Sequence, residues 1–304
     1  MSGLDRVSIQ PTVLVTGASG QLGQELARLE DDQLRIIGKS RAELDIADAK
    51  QCHLLIAEWK PDVVIHAAAY TAVDRAETEP DRAHAINVMG THNVAEAAEA
   101  VGAKFCYIST DYVFDGMGTK PYEAFHPTGP LSVYGRTKLE GEQAAASASS
   151  KLFVVRTSWL YGKYGKNFAR TMLQLASDRQ ELAVVNDQVG APTYTYDLAR
   201  FLAMLVTSDK YGTYHASNAG GCTWYDFAKA IFEEAGMSDI KVTPCSTSQF
   251  PRPAPRPAYS VLSSAAMIEA GFQPLRHWRE ALRDFLTNSG GAFEDTSYIF
   301  PRDP

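Results

Sequence analysis

The chain has 304 residues, 45% of them hydrophobic and 21% charged, which is ordinary for a soluble globular protein with room for one large domain or two smaller ones. Its formal net charge of −7 excludes a general electrostatic grip on nucleic acid or on an anionic membrane, so any phosphate it binds must be held locally. Cys52, Cys106, Cys222 and Cys245 are scattered, with no C-x-x-C and no spacing shared with histidines, which argues for reduced thiols rather than a disulfide framework or a zinc site.

Met1 to Thr12 is mixed and charged, without the apolar stretch of a secretory signal, and no apolar run approaches membrane-spanning length. A cytoplasmic protein is expected. Thr12 to Val15 is a β-branched, apolar run that stops at Thr16-Gly17-Ala18-Ser19-Gly20-Gln21-Leu22-Gly23, and Gln24 to Leu29 follows with helical spacing. This is strand, glycine-rich turn, helix. Gly17 permits the turn, Gly20 lets backbone approach a pyrophosphate, and Gly23 lets helix and strand pack closely. Gln21 and Leu22 lie at the helix start, where free N–H groups and the dipole favour an anion without net positive charge.

A second strand, Leu34 to Gly38, ends in Lys39-Ser40-Arg41. Cations and a hydroxyl there suit a 2′-phosphate, whereas an acidic residue would bond a free ribose hydroxyl, so NADPH is expected and NADH stays open. Asp45 and Ile46 follow on the cofactor side. After a helical stretch to Trp59 comes a third strand, Asp62 to His66, running into Ala67-Ala68-Ala69, whose small side chains leave room for cofactor. Ala83 to Ala100 reads as one long helix and Lys104 to Ile108 as the fourth strand. The alternation indicates a doubly wound parallel sheet built on these four strands. His66, His84 and His92 match no ligand signature and read as packing or surface residues.

Ser109-Thr110 puts a hydroxyl at a strand's carboxyl end, where open α/β sheets hold their ligands. If Ser132 opens a helix, Tyr134 and Lys138 project from one face, and the ammonium is expected to draw the phenol's pKa down toward a usable acid. Tyr-x-x-x-Lys alone more often describes a half-buried tyrosine beside a solvated lysine. Leu152 to Arg156 is a further strand leading to Thr157-Ser158-Trp159, whose indole is expected either over the same cleft or in the core. Further on come a helix Phe168 to Ala176, a strand Leu182 to Val185, a helix from Tyr196 to Leu205, a strand Gly212 to Ala216 and a helix Trp224 to Ala235. Phe250 to Tyr259, with proline at every second position over much of its length, must be an extended strap, and Arg252 and Arg256 on it are candidates to clamp a diphosphate. A last helix, Trp278 to Leu286, precedes a polar tail.

The expected architecture is therefore α/β: a Rossmann-type domain over 12–162, completed by about 194–218, and a smaller, mostly C-terminal substrate-binding domain over 163–193 and 219–286, with loose termini at 1–11 and 287–304.

Glycine turn, Ser-Thr and Tyr-x-x-x-Lys in this order resemble the extended short-chain dehydrogenase/reductase superfamily. Ala67 to Asp74, Ser109 to Gly116, Arg156-Thr157-Ser158-Trp159 and Pro253-Ala254-Pro255-Arg256-Pro257 are similar to the dTDP-4-dehydrorhamnose reductase family within it. The resemblance, from about Val13 to Leu286, implies reduction of the 4-keto group of a dTDP-sugar by NAD(P)H. It implies Thr110, Tyr134 and Lys138 as the catalytic triad, Val73, Asp111, Tyr112 and Trp159 in the sugar pocket, and Asn167, Gln188 and Arg256 on the nucleotide. Magnesium and a homodimer come only with the resemblance, and no metal cluster maps onto this chain, so the metal stays unknown. Two alternatives stay open: a nucleotide-sugar epimerase or dehydratase, against which Asp111-Tyr112 lacks the dehydratases' Asp-Glu pair, and a non-catalytic NADP-binding regulatory subunit.

Overall fold

The structure is a computed structural model and describes residues 10–288. Its centre is a six-stranded parallel sheet: β1 (Thr12–Thr16), β2 (Arg35–Lys39), β3 (Val63–His66), β4 (Lys104–Thr110), β5 (Leu152–Thr157) and a last strand, Gly212–His215. From one edge the order is Gly212–His215, β5, β4, β3, β1, β2. The four expected strands are thus continued by two more, so that β4 is covered on both sides.

Alternate side chains of each strand go to opposite faces, and both faces are buried, which is why the strands read as unbroken apolar runs. Val13, Val15, Ile65, Cys106 and Ile108 pack on one side with Leu22, Leu26 and the helix Thr195–Thr207. Leu14, Val64, Phe105 and Tyr107 pack on the other with the helices Ala49–Trp59 and Thr91–Ala100. Because β2 lies on one side of β1 and β3 on the other, the chain reverses direction between β1 and β3, and a cleft opens at the carboxyl ends of these strands.

The long helix expected over Ala83 to Ala100 is interrupted. Pro80–His84 and Thr91–Ala100 are α-helical, but Ala85–Gly90 between them is a π-helical turn. It carries Asn87, buried and fully used: its Oδ1 accepts from Tyr70 N at 2.8 Å, and its Nδ2 donates to Tyr70 O and Thr137 Oγ1. Such wide turns concentrate near functional sites, and this one ties the loop after β3 to the helix Val133–Ala148.

A separate apolar cluster gathers Tyr161, Met172, Leu182, Phe227, Ile231, Trp278 and Phe285. It is built from the helices Phe168–Asp178, Trp224–Glu234 and Trp278–Asn288 and a parallel strand pair, Glu181–Val185 with Lys241–Cys245. The strap is tied to three other segments: Val189 N donates to Ala258 O, Tyr259 N to Gly116 O, and Ala254 N to Asp74 Oδ1. Among the described residues no helix is long and apolar enough to cross a membrane.

Candidate active site

The cleft at the carboxyl ends of the strands has a volume of about 760 Å³. Its floor begins at the glycine turn. Gly17 has φ +69°, and a Cβ on it would meet the Ala68 backbone at 2.7 Å; a Cβ on Gly23 would lie 2.1 Å from Gly17 O. No side chain caps the helix Gln21–Ala27, so its first N–H groups stay available to a ligand. Gln21 Oε1 is buried here without a hydrogen-bond partner. A bare turn and uncapped N–H groups fit the pyrophosphate of a dinucleotide.

Arg41, Leu44, Asp45 and Ile46 line the next wall, followed by Ala67, Ala68, Ala69 and Val73. Arg41 is exposed and only loosely paired with Asp45, at 3.8 Å. Lys39 and Ser40 are not in the cleft: Ser40 donates from both N and Oγ to Glu43, and Lys39 lies over the Trp59 ring and pairs with the same carboxylate.

On the far side stand Thr110, Asp111, Tyr112, Tyr134 and Lys138. Thr110 ends β4. Ser132 opens the helix Val133–Ala148 as its N-cap, its Oγ accepting from Gly135 N at 3.1 Å, and this sets Tyr134 and Lys138 on the cleft side. Tyr134 packs edge-on against Tyr112, ring centroids 5.5 Å apart, while the Thr110 hydroxyl donates to Asp111 Oδ1 at 2.9 Å. Lys138 is buried, donates to Ile108 O at 2.7 Å and lies 4.1 Å over the Tyr107 ring.

The electrostatics correct one expectation. Burial pushes Tyr134 up to about 12, with Thr110 opposing and the Asp111 charge adding. Lys138 does not deliver the expected lowering, because burial brings its own pKa down to about 7 despite the charge of Glu142 one turn on. Glu142 is itself held by Arg156, at 2.8 and 2.7 Å, and by Ser109. Asp111 is raised to about 6, chiefly by burial.

Trp159 lies in the cleft with φ +48°, a conformation bulky side chains seldom adopt. Its ring stacks on Trp224, centroids 3.4 Å apart and 7° from parallel. Trp224 opens the helix Trp224–Glu234, and the sequence reading did not single it out for the cleft. Thr157 was likewise passed over. It is the register partner of Thr110 on β5, lines the cleft, and its Oγ1 has no partner. Its place at the carboxyl end of the adjacent strand was the available signal.

The three nucleotide-side candidates are occupied elsewhere. Asn167 is the N-cap of Phe168–Asp178, accepting from Arg170 N and donating to Gly162 O. Gln188 accepts from Trp224 Nε1 at 3.2 Å and donates to Thr247 Oγ1. Arg256 pairs with Asp74 at 2.9 Å and bonds Ala254 O, while Arg252 lies over the Phe250 ring. His66 is buried between the hydroxyls of Thr16 and Thr91, and burial pushes it down to about 3, as suits a packing residue. No three His, Cys, Asp or Glu side chains among the described residues group to hold a metal.

A parallel sheet with a phosphate-binding turn at its switch point, and a hydroxyl, a phenol and an amine facing it, defines a nicotinamide-dependent oxidoreductase of the short-chain dehydrogenase/reductase type. Residues 11–290 match the family described as RmlD substrate binding domain. The dTDP-4-dehydrorhamnose reductase of Mycolicibacterium smegmatis is 45% identical over 93% of this chain and 87% of its own length. The spore coat polysaccharide biosynthesis protein SpsK of Bacillus subtilis is 45% identical over 92% and 98%. The crystal structure of dTDP-4-dehydrorhamnose reductase from Bacillus anthracis in complex with NADP superposes with a TM-score of 0.90 at 44% identity, covering 92% of this chain and 100% of that one. The chain belongs to the dTDP-4-dehydrorhamnose reductase family.

Proposed function

We propose that the protein reduces the 4-keto group of dTDP-4-dehydro-L-rhamnose to give dTDP-L-rhamnose, the last step in forming that nucleotide sugar, and that NADPH is its working cofactor. The observation that carries this is the convergence of Thr110, Tyr134 and Lys138 on one cleft with the bare glycine turn. When bound, the cofactor supplies hydride. The chain supplies the rest.

Tyr134 gives its proton to the developing alkoxide, and Thr110, on the same wall of the cleft, holds the same oxygen in place. Lys138, once turned from Ile108 O toward the cleft, places a cation beside the phenol and the nicotinamide ribose. Val73, Asp111, Tyr112 and Trp159 surround the sugar. Gly17, Gly20, Gln21, Leu22 and Gly23 hold the pyrophosphate, and Arg41 is placed to meet a 2′-phosphate. In this reading 12–162 with 194–218 binds cofactor, and 163–193 with 219–286 closes on the sugar nucleotide.

The test is direct. The protein is mixed with NADPH and dTDP-4-dehydrorhamnose while the reduced nicotinamide absorbance is followed. Loss of one NADPH per sugar reduced is expected. An epimerase or dehydratase would convert the sugar and leave that absorbance intact, and a binding subunit would do neither.

A further inference from the structure

Resting on the cofactor reading above, we infer that Lys166 binds the pyrophosphate of the nicotinamide cofactor from across the cleft, so that the loop 162–167 clamps the bound dinucleotide against the glycine turn. Lys166 belongs to the segment assigned above to the sugar nucleotide, and it lines the cleft with Gly17, Gly20 and Gln21.

The loop leaves the strand Leu160–Tyr161 and enters the helix Phe168–Asp178. Its two ends are tied to each other. Asn167 Nδ2 donates to Gly162 O at 2.9 Å, and Asn167 Oδ1 accepts from Arg170 N at 3.0 Å. Arg170 also donates from its guanidinium to Lys163 O. This accounts for the burial of Asn167, whose amide shapes the loop instead of meeting a nucleotide.

So shaped, the loop lies along the helix Gln21–Ala27. Gly165 has φ +69°, and a Cβ on it would come within 2.6 Å of Gln21 Cγ, so the backbone approaches as closely as a glycine allows. One residue back, the Tyr164 ring lies 4.8 Å from the Arg28 guanidinium. Gln21 directly follows Gly20 of the turn. Lys166, next to Gly165, is therefore placed over the turn and exposed to the cleft.

Charge gives that position its meaning. Among the described residues that line the cleft, the cations are Arg41, Lys138 and Lys166. Arg41 stands beyond β2 beside Asp45, and Lys138 is buried at the far wall on Ile108 O. Asp45 and Asp111 add negative charge to the same cleft, and the chain as a whole is acidic. A pyrophosphate brings more negative charge, against which the glycine turn offers only backbone N–H groups. Lys166 adds an ammonium, a point charge on a long stem that suits a phosphate reached from the opposite wall.

The experiment is calorimetric titration, without sugar, of the native chain, Lys166→Gln and Lys166→Arg. The titrants are NADPH, NADH, dTDP and 2′-AMP, the last carrying the adenosine 2′-phosphate without a pyrophosphate. Lys166→Gln should bind NADPH and NADH more weakly by roughly 10-fold each, the scale of one charge-assisted bond, and 2′-AMP as the native chain does. Lys166→Arg, which keeps the charge, should recover most of that loss. Added salt should narrow the gap between native chain and Lys166→Gln, because the ammonium is exposed. Native affinity for both dinucleotides in Lys166→Gln overturns the clamp and leaves a solvated lysine. A loss with NADPH alone assigns Lys166 to the 2′-phosphate, and a loss with dTDP alone assigns it to the diphosphate of the sugar nucleotide; either overturns it. An equal loss with 2′-AMP also overturns it, by showing a general field rather than a contact. If the native chain binds neither dinucleotide, the cofactor reading itself has failed, which is a different result from native binding that the variant leaves unchanged.

Discussion

Lys138 lies one helical turn beyond Tyr134, yet its ammonium donates to the carbonyl of Ile108 at 2.7 Å and lies over the Tyr107 ring instead of meeting the Tyr134 phenol. Helical spacing brings two side chains to one face, but it does not decide where the longer of them ends. Burial lowers Lys138 to about 7, so in the free protein the cation is present below that pH and lost above it. Because kcat/KM reports groups of the free enzyme, kcat/KM for NADPH should fall as pH rises through about 7. Replacing Lys138 with Met should lower activity at acid pH and flatten that limb. Rates measured from about pH 6 to about pH 9 decide it, and an unshifted limb in the variant assigns the ionisation elsewhere.

Tyr134→Phe removes the proton donor while keeping the ring that packs on Tyr112. Cofactor affinity should hold, since the glycine turn is untouched, and turnover should drop by roughly 10²- to 10⁴-fold, the range of a lost general acid. Equilibrium titration with NADPH and steady-state rates separate the two effects. A turnover near that of the native chain would remove the phenol from the reaction.

Cofactor choice should depend on Arg41 more than on its neighbours. Lys39 and Ser40 are engaged by Glu43, whereas Arg41 is exposed at the cleft rim with a loose partner at 3.8 Å. Arg41→Ala should cost roughly 10-fold in kcat/KM with NADPH, the scale of a lost charge-assisted bond, and leave NADH nearly unaffected. Equal losses with both cofactors would show that Arg41 does not read the 2′-phosphate.

Trp224 is held at the cleft by three contacts: the Trp159 ring, Phe168 at 4.6 Å between centroids, and Gln188 Oε1. Trp224→Ala leaves Trp159 without its stacking partner and should raise KM for the sugar nucleotide by up to about 10-fold, as for one aromatic pair, with little change in kcat. Near-ultraviolet circular dichroism should lose the signal of the paired indoles. A fall in kcat with KM unchanged would place Trp224 in the chemistry rather than in binding.

The parts legible in the sequence are those fixed by local periodicity. The first four strands and the glycine turn stand out because both sheet faces are buried and the breaks fall at glycines. Lys241–Cys245 did not stand out, since Pro244 argues against a strand; it is tolerated because the pair with Glu181–Val185 has only two members, leaving its outer edge unpaired. The π turn at Ala85–Gly90 gives no compositional sign. Contacts between distant segments were equally hidden. Arg256 reads as a free cation until Asp74 comes to meet it, and Trp224 as an ordinary helix opening until Trp159 stacks on it.

Asp111 should weaken the fold at neutral pH. Its pKa rises from 3.8 to about 6, mainly through burial, so between those values the folded chain binds more protons than the unfolded one. Stability therefore falls as pH rises through this window, and above about 6 the whole penalty is present. At about 1.4 kcal/mol per unit it amounts to ~3 kcal/mol as an upper figure. Asparagine keeps the shape and the oxygen that accepts from Thr110, but carries no charge to bury. Asp111→Asn should accordingly be more stable than the native chain near pH 7 by ~1–3 kcal/mol, with a higher melting temperature, and the advantage should vanish near pH 4. Urea unfolding at the two pH values checks both halves. The same gain at each pH would trace the effect to packing, and no gain at either would mean the buried carboxylate costs the fold nothing.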